Sequence, residues 1–252
     1  MFAEPEYTQF DLKWRMFGVP IRVHPLFWLV SALFGWRYIE RGLQYVVLWI
    51  ICVFVSILVH EFGHVLAGQL FGSRGYIILY GMGGLAVGSS DLRNRWQRIA
   101  VFLAGPLAGF LLLALVWFGF KRVEDRDLSD FAWYALSFLV WINFFWGLLN
   151  LLPIWPLDGG RISREIISWL SPANGTRAAL GLSMLAAGVI AGNALSLTAL
   201  KKPLPFFDSI PFLGHFGGYW TVIFFGYLAF MSYQALMMER PRRPWERGED
   251  QW

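Results

Sequence analysis

Residues 44–71 read QYVVLWIICVFVSILVHEFGHVLAGQLF. Apart from His60, Glu61 and His64 this run of 28 residues is almost wholly apolar, and it exceeds the about 20 residues that an α-helix needs to cross a bilayer. Ionisable side chains at such depth are costly, so function is the default reading of their presence. His60 and His64 stand four residues apart, which on a helix places them on one face, one turn apart. That spacing lets two imidazoles hold one metal ion, and Glu61 lies beside the first of them. In the pattern H-E-x-x-H the histidines ligate zinc and the glutamate serves as general base for peptide hydrolysis. Two ligands do not complete a zinc site, and a third is required.

Composition supplies the setting. Apolar residues make up 57% of the 252, charged residues 15%, and the mean hydropathy is +0.50. These values exclude an ordinary soluble domain and point to a membrane protein. The single cysteine, Cys52, excludes an internal disulfide and a cysteine-rich metal cluster; its apolar neighbours make it a packing residue. The net charge of +4 does not indicate nucleic acid, because the basic residues are spread over the connections between apolar segments.

Six membrane segments are expected, at Pro25 to Trp36, Gln44 to Phe71, Arg98 to Phe120, Phe131 to Leu152, Arg177 to Leu200 and Tyr219 to Met238. The first is short for a full crossing. No cleavable signal peptide is evident, since the first residues are acidic and aromatic rather than basic. Of the 21 lysines and arginines, 14 fall in the N-terminal stretch, the connections after spans two and four, and the C-terminal tail. By the positive-inside rule these regions, and both termini, face the cytoplasm. The second span then runs inward, with His64 about 10 Å before its cytoplasmic end.

A third ligand is sought at similar depth on another span. The fourth also runs inward and ends in Asn150-Leu151-Leu152-Pro153-Ile154-Trp155-Pro156-Leu157-Asp158-Gly159-Gly160. Asp158 is the best candidate: two prolines stop the helix before it and two glycines follow, so it is expected on a short non-helical stretch. The plainer alternative is an interfacial turn whose aspartate caps the helix starting near Arg161.

HEFGH in the second span, NLLPIWPLDGG after the fourth and AGPLAG at Ala104–Gly109 in the third together resemble the site-2 protease family of intramembrane zinc metalloproteases. The resemblance runs from about Val19 to Arg164. It implies one Zn²⁺ per chain held by His60, His64 and Asp158, with Glu61 as the catalytic glutamate and Asn150 near the reacting carbonyl. Where the family often carries asparagine, this chain has Gly109. It also lacks room for the peptide-binding (PDZ) or nucleotide-sensing (CBS) domains of many members, so control would come from a regulatory membrane partner or prior substrate cleavage.

Spacing supports a buried site independently. Ser56, His60, His64 and Gly68 form a stripe at four-residue intervals on the second span; Ala100, Ala104 and Ala108 form another on the third, and Asn143, Gly147 and Asn150 one on the fourth. Small residues let membrane helices approach closely and polar ones turn toward the bundle. Asn143 reads as an interhelical hydrogen-bonding residue, whereas Asn150, just before the ligand loop, reads as functional. Lys13 to His24 and Arg74 to Gly88 have the alternation and turn glycines of β-hairpins. Together they are expected to make a small cytoplasmic-side sheet over the mouth of the site. An open sheet edge can bind a peptide as an added strand, and the resembling family uses an edge this way, which makes Gly83 and Gly84 candidate substrate contacts. The plain reading of those glycines is a turn. His24 and His215 read as structural, the tryptophans as interfacial belts, and Lys121 to Asp130 as a solvated outer loop.

The expected protein is thus an all-α polytopic membrane protein of about six transmembrane helices with a small β-sheet. It forms one domain over residues 1–238, with a catalytic core at about 43–165 and a disordered tail at 239–252. Its expected function is hydrolysis of peptide bonds in or near transmembrane segments of membrane-protein substrates, in a prokaryotic cytoplasmic membrane. A non-catalytic adaptor keeping the fold and a metal transporter are the alternatives. Intact Glu61 speaks against the first, and the single His-Glu-His cluster against ligands strung along a path.

Overall fold

The computed structural model describes residues 4–81, 83–122, 129–204, 207 and 217–239. His215, most of the Lys121 to Asp130 run and the tail beyond Glu239 therefore lie outside the described residues. The chain divides into two compact units, Met1–Asn150 and Leu151–Trp252.

The first unit contains strands β1 (Leu12–Met16) and β2 (Val19–Val23), helix α1 (Pro25–Gly35), a 3₁₀ segment (Trp36–Arg41), helix α2 (Leu43–Leu70), strands β3 (Tyr76–Tyr80) and β4 (Gly83–Val87), and helices α3 (Arg95–Arg122) and α4 (Asp130–Asn150). Both expected hairpins form, at Phe17-Gly18 and between Tyr80 and Gly83. A parallel pairing of β2 with β3, Ile21 opposite Ile77 and Val23 opposite Leu79, joins them into one sheet of order β1-β2-β3-β4. Side chains alternate across a strand, so Val19, Ile21, Val23, Ile77 and Leu79 share one face. They are buried there with Phe27 of α1 and Ile57, Leu58, Phe62 and Val65 of α2. This apolar layer holds the sheet against the same turns of α2 that carry the two histidines.

The other face is held differently. Arg22, buried in the middle of β2, pairs with Asp11 at 3.4 Å, donates to the Pro5 carbonyl at 2.7 Å and lies 4.1 Å from the Tyr7 ring centre. Tyr76 donates to Glu4 alongside. Residues 4–11 thus strap across the sheet and supply acceptors to two of the three nitrogens of a guanidinium that would be expensive to bury alone.

Among the described residues, five helices are long and apolar enough to cross a membrane: α2, α3, α4, and in the second unit α6 (Gly175–Leu200) and α7 (Tyr219–Met238). The protein is an integral membrane protein. The first of the six expected spans is an 11-residue helix, α1, stopped where the backbone tightens into the 3₁₀ segment. The interfaces of the first unit follow the small and polar stripes. A Cβ on Gly63 would fall 2.3 Å from the Ala104 carbonyl oxygen of α3, and one on Gly147 2.8 Å from Phe110. Asn143 Nδ2 donates to Ser56 Oγ at 2.9 Å, the expected bond between α4 and α2.

In the second unit the chain passes through a loop with a cis Trp155–Pro156 bond into helix α5 (Asp158–Leu170). Ser232 of α7 donates to the Trp155 carbonyl at 3.2 Å, and Arg161 and Arg164 lie over the Trp155 ring.

Candidate functional site

The first unit builds a site around one turn of α2. His60, Glu61 and His64 are all buried, and the Nε2 atoms of the two histidines face each other at 3.2 Å. His64 Nδ1 lies 2.7 Å from the Val101 carbonyl of α3. A carbonyl only accepts, so Nδ1–H donates and the His64 Nε2 carries the lone pair. A backbone acceptor that fixes tautomer and ring direction is the usual companion of a ligating histidine. Two nitrogens about 2.0–2.1 Å from one tetrahedral zinc would stand about 3.3 Å apart, so this pair fits a shared ion.

Two glycines make the arrangement possible. A Cβ on Gly105 of α3 would fall 2.2 Å from His64 Nε2, and one on Gly84 of β4 would fall 2.4 Å from Glu61 Oε1. The backbones of α3 and β4 therefore come up against the histidine ring and the carboxylate respectively, where a side chain would stand in the way. Pro106, inside α3 directly after Gly105, lacks an N–H and disturbs the helix ladder at this level.

β4 lies at the edge of the sheet, bonded to β3 alone, so the strand beside Glu61 is an edge strand. At its first residue Gly83 has φ +121°, and a Cβ there would meet Cζ2 and Cη2 of Trp146 at 2.7 Å. The Trp146 ring in turn stands edge-on to His60, with ring centres 6.5 Å apart. His60, Glu61, His64, Gly83 and Gly84 are thus gathered in this unit.

Asn150 is buried at the end of α4, and its Nδ2 donates back to the Trp146 carbonyl at 2.9 Å. In the second unit Asp158 is buried and opens α5, with Leu157 as the capping position. The expectation of a non-helical setting is corrected to a helix start. The glycines after Asp158 serve close approach: Cβ atoms on Gly159 and Gly160 would fall 2.2 Å from the Leu151 carbonyl oxygen and 2.4 Å from the Ile154 carbonyl group.

A model of Peptidase family M50 matches residues 48–124 and 122–192. The chain belongs to Peptidase family M50, the site-2 proteases. Curated relatives include a zinc metalloprotease of Methanocaldococcus jannaschii, 31% identical over 157 residues, covering 61% of this chain and 44% of that protein. Stage IV sporulation protein FB of Bacillus subtilis is 30% identical over 155 residues, covering 60% of this chain and 48% of that protein. The chain thus matches about half the length of these relatives. Among solved structures, the site-2 protease from Methanocaldococcus jannaschii has the same fold, with a TM-score of 0.61 at 21% identity over 93% of this chain and 99% of that one.

Val101, Gly105 and Trp146 are absent from the residues singled out by sequence for the site. Gly105 lay inside the AGPLAG motif without a role. The Val101 contribution is a backbone oxygen, which no side chain announces, and Trp146 is one of 14 tryptophans.

Proposed function

We propose that this protein is an intramembrane zinc endopeptidase. The reading is carried by the His60–His64 pair, with Nε2 atoms 3.2 Å apart and Glu61 one residue along, against an edge strand. His60, His64 and Asp158 are three buried side chains of kinds that bind zinc, each with one ligand atom to offer. One ion held by these three would leave a position for water, the pattern of catalytic rather than structural zinc. Zinc bound there supplies Lewis acidity, which acidifies water and polarises a peptide carbonyl.

The residues of the chain do the rest. Glu61 accepts a proton from the attacking water and returns it to the leaving nitrogen. The Val101 carbonyl holds His64 in the ligating tautomer. A substrate segment unwound from its helix adds to the open edge of β4, with Gly83 and Gly84 leaving its backbone room beside Glu61. The second N–H of Asn150 Nδ2 is available to the substrate or its developing oxyanion.

The substrates are transmembrane segments of other membrane proteins, with control by a regulatory membrane partner or by prior substrate cleavage. Both termini face the cytoplasm of a prokaryotic membrane. For that topology α1 and the 3₁₀ segment cross together. Laid end to end at about 1.5 and 2.0 Å per residue they would extend about 28 Å, close to the hydrocarbon thickness of about 30 Å.

The test uses purified protein in detergent and a peptide of about 20 apolar residues interrupted by Asn-Gly, labelled with a fluorophore and a quencher. The wild type should contain one zinc and cleave the peptide. Glu61→Gln should retain the zinc and lose cleavage; a cleaving Glu61→Gln protein removes the assignment, and a wild type with zinc but no cleavage favours the adaptor.

A further inference from the structure

Trp146 carries a buried donor that the mechanism above does not use. Its indole Nε1–H is shielded from solvent and has no hydrogen-bond partner among the described residues. An unmet donor in a membrane-buried setting is costly and calls for an acceptor.

The position of the ring says which acceptor. Trp146 stands edge-on to His60, and its Cζ2 edge covers Gly83, where any Cβ would collide. In an indole Cζ2 neighbours the ring carbon that carries Nε1, so the N–H lies on the side of the ring turned toward the start of β4. The ring of this tryptophan therefore borders His60, and its Cζ2 edge borders the open strand. Across that strand end a peptide added to β4 would continue past Gly83, where the strand itself supplies no further ladder N–H.

We infer that Trp146 Nε1–H donates a hydrogen bond to a backbone carbonyl of the bound substrate, at the residue that extends beyond Gly83. The inference rests on the protease reading and adds a substrate-binding donor to it. The donor is suited to peptide: a carbonyl presented by an unwound segment satisfies it, whereas a segment still helical keeps its carbonyls bonded internally. Trp146 thereby favours extended over helical substrate. Its contribution is to binding, since the carbonyl concerned is not the one attacked.

The test compares wild type with Trp146→Phe on the Asn-Gly peptide. With one neutral hydrogen bond lost, KM should rise about tenfold while kcat changes by less than about threefold, at unchanged zinc content. If Trp146→Phe does not fold, benzothienylalanine at this position, which puts sulfur in place of N–H at nearly the same shape, carries the same expectation. The second readout is the indole ¹⁵N–¹H resonance that disappears in the Trp146 variant. It should move downfield when peptide is added to Glu61→Gln protein, where no cleavage follows. A merely structural tryptophan would leave that resonance in place. An unchanged KM in a folded variant, or a resonance unmoved at saturating peptide, overturns the inference while leaving the protease reading intact. A wild type that holds zinc and cleaves nothing removes the protease reading and the inference with it.

Discussion

Two sets of glycines, one around the histidine turn of the first unit and one on α6 of the second, do opposite things. In the first unit Gly63, Gly84 and Gly105 stand where a Cβ would fall 2.2–2.4 Å from a carbonyl oxygen, a carboxylate or an imidazole. In the second, Gly188 and Gly192 of α6 have nothing within 4 Å of where a Cβ would be. Gly63 and Gly105 look like Gly188 and Gly192 in sequence, as small residues on apolar helices. One set lets backbone reach the reactive groups, and the other occupies open helix surface. The number of glycines in a membrane helix therefore says little about close packing until the neighbour of each is known.

The largest effect expected from this contrast is at Gly105. In Gly105→Ala the new methyl would overlap His64 Nε2, and the ring must swing away from the position set by the Val101 carbonyl. Displacing a ligand itself should cost at least the about 10- to 100-fold in metal affinity or activity that loss of an outer-shell partner costs. Zinc content after dialysis and the rate on the Asn-Gly peptide should fall together. A Gly105→Ala protein with full zinc and full rate would show that the close approach does not matter.

A second break lies on the far face of the sheet, where charge rather than glycine does the work. Arg22 and Asp11 are both buried and 3.4 Å apart, so Arg22→Ala leaves a carboxylate without its cation. Removing one partner of a buried pair costs about 3–5 kcal/mol, measured here as lost stability of the first unit. Burial pushes the Asp11 carboxyl up, but hydrogen bonds from the Thr8 hydroxyl and backbone and the charges of Arg22 and His24 pull further the other way. Its pKa therefore lies below the ordinary 3.8. A lowered carboxylate contributes stability above its unfolded value that is lost as pH falls through the folded one. The stability gap between wild type and Asp11→Asn should therefore be constant above about pH 5 and close below about pH 4. A gap that persists undiminished at pH 2 would dissociate the strap from this ion pair.

How much of this was legible in sequence follows from the range of each interaction. The His60–His64 pair is one helical turn and needs nothing beyond the 3.6-residue period, and the two hairpins are local in the same sense. Asn143 was legible as a polar residue on a helix interior face, although its partner, Ser56, lies 87 residues away. The parallel pairing of β2 with β3 was not, because nothing in either strand names the other across more than 50 intervening residues. Asp158 is legible in the motif, but its place at the start of α5 is not. Two prolines and two glycines signal a turn, yet Gly159 and Gly160 are there to let the first turn of α5 close onto residues 151–155. The Val101 carbonyl left no trace, since every residue has one.

The smallest predicted effect sharpens the opening contrast from its permissive side. Glycine in a helix interior is less favourable than alanine by up to about 1 kcal/mol, from the backbone freedom lost on ordering. At Gly188 and Gly192 a methyl meets no neighbour, so that term has nothing to oppose it. Gly188→Ala and Gly192→Ala should each leave zinc content and cleavage within about twofold of wild type and raise thermal stability slightly, by no more than about 1 kcal/mol. Loss of stability or activity in either variant would mean that this face of α6 is covered in the working protein. The two sets of glycines would then differ in the partner they admit rather than in whether they admit one.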